Sequence, residues 1–164
     1  MSDMWVLNAS PVIALAKANS LFILAESNRE LIIPDAVAEE IRQGPPQDPA
    51  RQALESGWGP KPAVSKLEYD VLEWGLGQGE SAVLSLARQK TAWAVVDDRA
   101  ARNACKALGI RFIGTLGVIL LAKVEGRISS SVAVLKTLQN AGLYLDDEMI
   151  RTGLLKSTGE IWPV

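Results

Sequence analysis

The sequence contains no histidine. This absence excludes Ser-His-Asp and Cys-His catalysis, histidine-ligated zinc and any imidazole general base. If the protein is an enzyme, carboxylates are therefore expected to carry its chemistry. Cysteine is nearly absent as well: the single Cys105 cannot form an internal disulfide, so nothing ties the chain to an oxidising compartment and the cytoplasm is the expected location.

Long apolar runs are also missing. The longest, "TLGVILLAKV", is shorter than the roughly 18 residues that a membrane span needs, and the N-terminus lacks the basic region of a signal peptide, so no membrane association is expected. The 164 residues, 48% apolar and 22% charged, predict one globular domain over 1–164. The net charge of −2 argues against broad electrostatic adhesion to nucleic acid, although a local basic cluster could still hold phosphates.

Short apolar strands alternate with helices along the chain. Strands are predicted at 4–7, 31–33, 93–96 and 110–113. Helices are predicted from about 11 to 18 and at 20–26, 35–43, 49–56, 65–74, 79–89, 99–108, 116–124, 130–140 and 146–156. The proline- and glycine-rich segments "GPPQDP" and "GWGPKP" are interpreted as loops. This alternation predicts an α/β protein, a three-layer α/β/α sandwich with a central four- or five-stranded parallel sheet.

Polar residues that could carry chemistry follow the predicted strands. In open parallel sheets, ligands bind beyond the carboxyl ends of the strands. Acidic, amide and hydroxyl side chains gather there or on the adjoining helices: Asn8, Ser10, Glu39, Glu40, Glu80, Asp97 and Asp98. Carboxylates brought together without arginine repel one another, and Mg²⁺ or Mn²⁺ commonly stabilises such a cluster. A cation held in this way activates water and stabilises charge on a phosphoryl group, as in a nuclease.

Each acidic residue also has a structural interpretation. Glu80 lies in a first helical turn, where the helix dipole favours a carboxylate. Asp97 or Asp98 is a suitable N-cap for the helix that follows. Glu39 and Glu40 could contact Arg42 or simply face solvent. The functional hypothesis therefore depends on the whole set. Separately, Thr115 is the expected cap of the helix that follows the last strand.

Five motifs in order resemble the PIN-domain family, and within it a VapC-like branch of the DUF3368 type. They are "VLNASPVIALAKA", "LIIPDAVAEEI", "GQGESAVLSLA", "AVVDDRAARNACKALGI" and "GTLGVILLAKVEG", and the resemblance covers about 6–126. It implies a Mg²⁺- or Mn²⁺-dependent ribonuclease with RNA as its substrate. Many relatives of this type are toxins neutralised by a small antitoxin protein, and many are homodimers.

The resemblance also implies roles for individual residues. The acids of the second, third and fourth motifs fall on Glu40, Glu80 and Asp98, which are the expected catalytic residues and metal ligands. Asp97 is implied as a further ligand or a cap, and Ser10 matches a small hydroxyl residue near the metal. At position 8 the pattern expects aspartate, but the sequence has Asn8.

Asn8 is nearly isosteric with aspartate, and its amide oxygen can still ligate a hard cation. The negative charge is lost, so metal affinity is expected to fall. Two hypotheses follow: a weakened metal-dependent nuclease, or a PIN scaffold that binds RNA or a protein without cleaving. A phosphoacceptor site of the response-regulator kind is disfavoured, because no acid pair follows the first strand.

Overall fold

Five parallel strands form the centre of the protein, as seen in a computed structural model that describes residues 3–143 and 145–162. The strands are β1 (Met4–Leu7), β2 (Glu30–Pro34), β3 (Lys61–Ala63), β4 (Trp93–Val95) and β5 (Phe112–Ile113), and their order across the sheet is β3-β2-β1-β4-β5. Every pairing is parallel. The α/β prediction with a parallel central sheet is confirmed, with five strands.

Helices flank this sheet. They are α1 (Ala9–Lys17), α2 (Phe22–Ala25), α3 (Asp35–Arg42), α4 (Pro49–Glu55), α5 (Tyr69–Leu72), α6 (Gln78–Lys90), α7 (Arg99–Leu108), α8 (Thr115–Val124), α9 (Ser131–Asn140) and α10 (Asp147–Ser157). Within the described ranges, no helix combines the length and the apolar character needed to cross a membrane.

The central strand β1 is covered on both faces. Trp5, Val6 and Leu7 are at most 2% exposed, as the near-continuous apolar sequence of a buried parallel strand requires. After β1 the chain adds β2 on one side and later returns to add β4 on the other. The strand order therefore reverses between β1 and β4, and the carboxyl ends of these two strands border the crevice where open α/β sheets bind ligands.

Strand β3 and the segment after it correct two predictions. Lys61–Ala63 overlaps the end of "GWGPKP", which was interpreted as a loop, but it pairs with β2 at the sheet edge. An edge strand tolerates Pro62, since an edge N–H needs no strand partner. The helix predicted over 65–74 is wrong, because only Tyr69–Leu72 is helical. Ser65 Oγ donates to the Ala82 carbonyl at 2.7 Å, which ties this segment to α6 in a non-helical conformation.

An ion-pair cluster lies at the amino-terminal end of β2. Arg29 donates two hydrogen bonds to the Glu125 carboxylate, at 3.1 and 2.7 Å, and its guanidinium lies 4.6 Å from the centroid of the Trp5 ring. The hydrogen bond from Arg29 holds the pKa of Glu125 below its ordinary value. Because Arg29 precedes β2 and Glu125 follows α8, this contact fixes the end of α8 against the sheet.

Candidate active site

Asn8 follows β1 at the point where the strand order reverses. Its backbone N–H donates to the Val95 carbonyl at 3.1 Å, which places it beside the end of β4. Asn8 occupies the N-cap position of α1, but its side chain makes no capping hydrogen bond. The residue is 3% exposed, and its Oδ1 has no hydrogen-bond partner among the described residues. A buried polar atom without a partner costs about 1–3 kcal/mol, so Asn8 Oδ1 is available to a ligand.

Helix α3 brings Glu40 to the same place, opposite the start of α6. An added Cβ at the buried Gly79 would lie 3.3 Å from Glu40 Oε2 and 3.5 Å from Asn8 Oδ1. The carboxylate and the amide oxygen therefore both approach the backbone of α6 at one position. Glycine at residue 79 leaves room for them, since a side chain there would crowd both oxygens.

Glu80 is the acidic residue of the first turn of α6. Its Oε2 turns back towards the helix start, where it would lie 2.7 Å from a Cβ added at Gly77. Partial burial and the nearby charge of Glu80 raise the pKa of Glu40 above its ordinary value. Two carboxylates close enough to repel each other, beside an unpaired amide oxygen, favour a bound cation.

Two cavities meet at these residues. Asn8, Ser10 and Glu80 line both of them, and we call these three residues together with Glu40 the acidic centre. One cavity, of about 390 Å³, runs along α1 past Ile13, Ala14 and Lys17. The other, of about 1140 Å³, runs towards α10 past Asp98, Asp146 and Glu148. We refer to them as the α1 arm and the α10 arm.

Asp97 and Asp98 line the α10 arm, and each carboxylate already has a protein partner. Both oxygens of Asp97 accept from Thr115: the backbone N–H donates to Oδ1 at 2.7 Å and the hydroxyl to Oδ2 at 2.6 Å. Asp98 is the N-cap of α7, and its Oδ2 accepts from the Ala101 N–H at 3.0 Å. One of the two acids was expected to cap this helix, and Asp98 does so. Their roles as metal ligands stay a prediction.

Thr115 is a residue whose role the sequence did not reveal. It was expected to cap α8, but Gly114 holds the N-cap position and Thr115 is the first helical residue. Its fully buried side chain instead positions Asp97. One sequence pattern could have suggested this contact: "VVDD" ends one strand, and "GT" begins the helix after the next strand. A carboxylate that follows a strand commonly binds the start of a neighbouring helix.

Glu39, the neighbour of Glu40, does not line either arm. Glu39 Oε1 accepts from Gln43 at 3.4 Å on the exposed face of α3. Adjacent positions on a helix point in different directions, so only one of the two glutamates reaches the acidic centre. The pair "EE" in the sequence could not distinguish them without the packing of α3 on α6.

The donors at the acidic centre fit a hard cation. Nowhere in residues 3–143 and 145–162 do three or more His, Cys, Asp or Glu side chains lie close enough to hold a metal ion. Three side chains converge here: the carboxylates of Glu40 and Glu80, and the amide of Asn8, whose oxygen has no hydrogen-bond partner among the described residues. Oxygen ligands of this kind suit Mg²⁺ or Mn²⁺, with water completing the coordination. Aspartate at position 8 would supply a third carboxylate, and with it a third negative charge.

Comparison with known proteins identifies the family. No curated protein and no solved structure matches the chain. The family model DUF3368, described as a PIN domain, matches residues 4–160. This range includes all five strands and every residue of the acidic centre. The chain belongs to the PIN-domain family.

Proposed function

We propose that this protein is a metal-dependent endoribonuclease of PIN type, weakened by Asn8 in place of the first acid. PIN domains have nuclease-type functions, and they generally use divalent metals. The observation that carries the proposal is the buried Asn8 Oδ1, which lacks a partner and lies with Glu40 at the start of α6. An oxygen left unpaired at the crevice between β1 and β4 is one that a bound cation would satisfy.

In this mechanism, Asn8, Glu40 and Glu80 would hold Mg²⁺ or Mn²⁺, and the cation would supply an activated water and stabilise negative charge on the phosphate. Partial burial and the charge of Glu80 raise the pKa of Glu40 in the metal-free protein, and a bound cation would offset both effects and keep the carboxylate ionised. Ser10 is exposed at the entrance of both arms, where its hydroxyl can donate to a phosphate oxygen. Thr115 keeps Asp97 fixed at the end of β4.

A nuclease assay on RNA with Mg²⁺ or Mn²⁺, against an EDTA control, tests the proposal. Glu40→Gln and Glu80→Gln are expected to lower the cleavage rate at least a hundredfold, because each removes a charge from the metal site. Glu39→Gln is the matched control, since it makes the same change on the same helix outside both arms. Equal activity in Glu40→Gln and Glu39→Gln would refute a catalytic role for the acidic centre.

The alternative is a PIN scaffold that binds RNA or a protein without cleaving it. The absence of a third converging acid from the described residues favours this alternative. It predicts that Asn8→Asp gains no activity and that RNA binding is the same in Mn²⁺ and in EDTA. The nuclease proposal predicts the opposite result in both assays.

We also propose that the nuclease is a VapC-like toxin that acts in the cytoplasm as a homodimer and is neutralised by a small antitoxin protein. Basic segments suit the α10 arm, which combines carboxylates with apolar side chains. Half of the residues of α8 are buried in the core, so this apolar helix offers little surface to a second copy. A growth assay with and without the product of an adjacent short reading frame tests the toxin, and light scattering measures the oligomeric state.

A further inference from the structure

We propose that a single RNA strand leaves the acidic centre through the α1 arm, and that Lys17 binds a phosphate of that strand. This inference deepens the proposed function and rests on it. It assigns a substrate-positioning role to Lys17, and it excludes the strand from the α10 arm. The two arms differ in charge, shape and lining, and these differences carry the proposal.

The first difference is charge. Among the described residues that line the α1 arm, Lys17 is the one cation, and the carboxylates are those of Glu40 and Glu80 at the acidic centre. The α10 arm contains Glu80 and four further carboxylates, Asp97, Asp98, Asp146 and Glu148, against the single guanidinium of Arg102. A polyanion is repelled by the α10 arm, whereas a divalent cation at the acidic centre would reverse the net charge of the α1 arm.

The second difference concerns how the α1 arm is lined. Ser10, Ile13, Ala14 and Lys17 follow the spacing of one helix face, so they form a continuous wall from the acidic centre to the end of α1. The opposite wall is the backbone-rich segment Ala141, Gly142 and Leu143. Ser10 and Ala14 on one wall and Ala141 and Gly142 on the other have small side chains, which leaves room for a single strand between the walls.

Lys17 itself is available for binding. It is exposed, and it forms no ion pair within the part of the chain that the structure describes. Arg102 also forms no ion pair among the described residues, but its guanidinium lies 5.2 Å from the centroid of the Phe112 ring. Among the described residues that line the two arms, Lys17 is therefore the cation on the α1 side, and it lacks the aromatic contact that Arg102 makes.

The length of α1 sets the position of the contacted phosphate. From Ser10 to Lys17 the helix rises about 10 Å, at about 1.5 Å per residue. Stacked nucleotides advance about 3.4 Å each along a strand, so Lys17 meets a phosphate about three nucleotides from the one at the acidic centre. RNAs too short to reach Lys17 are expected to lose the benefit of this contact.

Fluorescence anisotropy with a labelled oligouridine, in Ca²⁺ at low salt, measures binding with a hard divalent cation present, and gel analysis of the same samples checks that the RNA stays intact. Lys17→Ala is expected to weaken binding about fivefold and to reduce the slope of log affinity against log salt by about 0.7, the value for one phosphate contact on a single strand. Lys106→Ala is the matched control: Lys106 is exposed on α7, lines neither arm, and its loss changes the net charge equally. Glu148→Gln is expected to change affinity less than twofold.

Several outcomes would overturn the strand path: equal weakening by Lys17→Ala and Lys106→Ala, tightening by Glu148→Gln as large as the loss at Lys17, or no binding by the unaltered chain in Ca²⁺. Cleavage assays in Mn²⁺ separate this inference from the proposed function. With an active nuclease, Lys17→Ala is expected to raise KM and preserve kcat. If no variant cleaves RNA but binding still depends on Lys17, the nuclease proposal fails and the strand path stands.

Discussion

Asn8→Asp is the substitution that most directly tests the acidic centre. It restores the carboxylate that the family pattern expects, with almost no change in side-chain shape. Asn8 is 3% exposed and its Oδ1 has no partner, so the new charge would be buried beside Glu40. We expect two opposite effects: lower stability without metal, and tighter binding of metal.

The size of each effect follows from Coulomb interactions. At about 4 Å and an effective dielectric of about 20, two unit charges interact with about 4 kcal/mol, and a divalent cation doubles that value. Proton uptake relieves part of the repulsion in the metal-free protein, which leaves a net loss of roughly 1–3 kcal/mol. For a chain of this length, such a loss lowers Tm by about 3–10 °C. After desolvation offsets the attraction, Mn²⁺ affinity is expected to rise about ten- to a hundredfold.

Calorimetric titration with Mn²⁺ and thermal unfolding in Mn²⁺ or EDTA measure these quantities. Asn103→Asp is the control, because Asn103 is exposed on α7 and lines neither arm. The Asn8→Asp variant is expected to have a lower Tm than the unaltered chain in EDTA and a larger rise in Tm on adding Mn²⁺. The same Mn²⁺ affinity in Asn8→Asp and in the unaltered chain would refute the assignment of Asn8 to the metal site.

Three further predictions concern stability and reactivity. Glu125→Gln is expected to lower the free energy of unfolding by about 1–2 kcal/mol at pH 7, because it weakens the pair with Arg29. Folding lowers the pKa of Glu125, so urea unfolding curves should show this difference above pH 4.5 and lose it as the pH falls below that value. A difference that does not vary with pH would contradict the assignment. Thr115→Val removes the hydroxyl that donates to Asp97, so urea unfolding should show a loss of about 1–3 kcal/mol, and no loss would indicate that water replaces it. Cys105 is fully buried and burial raises the pKa of its thiol to about 11, so an aromatic disulfide reagent at pH 8 should react with it only after unfolding; rapid reaction in the native protein would contradict its burial.

Much of the fold could be predicted because its pattern is local. Strands β1 and β4 are short apolar runs bounded by polar residues, and α7 is amphipathic with a capping acid before it and Gly109 after it. Strand β3 could not be predicted, since Lys61–Ala63 contains proline and is mostly exposed. It is a strand because β2 offers a free edge, and that pairing is a tertiary interaction that the local sequence does not encode.

The candidate site was predictable as a group of residues, not as a geometry. The sequence indicated that Asn8, Glu40, Glu80, Asp97 and Asp98 lie near one another, because they follow strands or flank helices at one edge of a parallel sheet. It could not show that Thr115 accounts for both oxygens of Asp97, or that Asp98 caps α7. Those bonds depend on how α8 and α7 are placed against the end of β4.

The amide at position 8 also changes the balance between stability and metal binding. Three carboxylates in the acidic centre would repel one another in the metal-free protein, and the fold would then depend on a bound cation. With Asn8, the repulsion that remains between described residues of the acidic centre is that between Glu40 and Glu80; partial burial and this repulsion together raise the pKa of Glu40. The unpaired Oδ1 still leaves a polar penalty, but that penalty is smaller than the cost of a third buried charge. The chain is therefore expected to fold without metal and to bind Mg²⁺ or Mn²⁺ weakly, so its nuclease activity should vary with metal concentration over a range in which its stability scarcely changes.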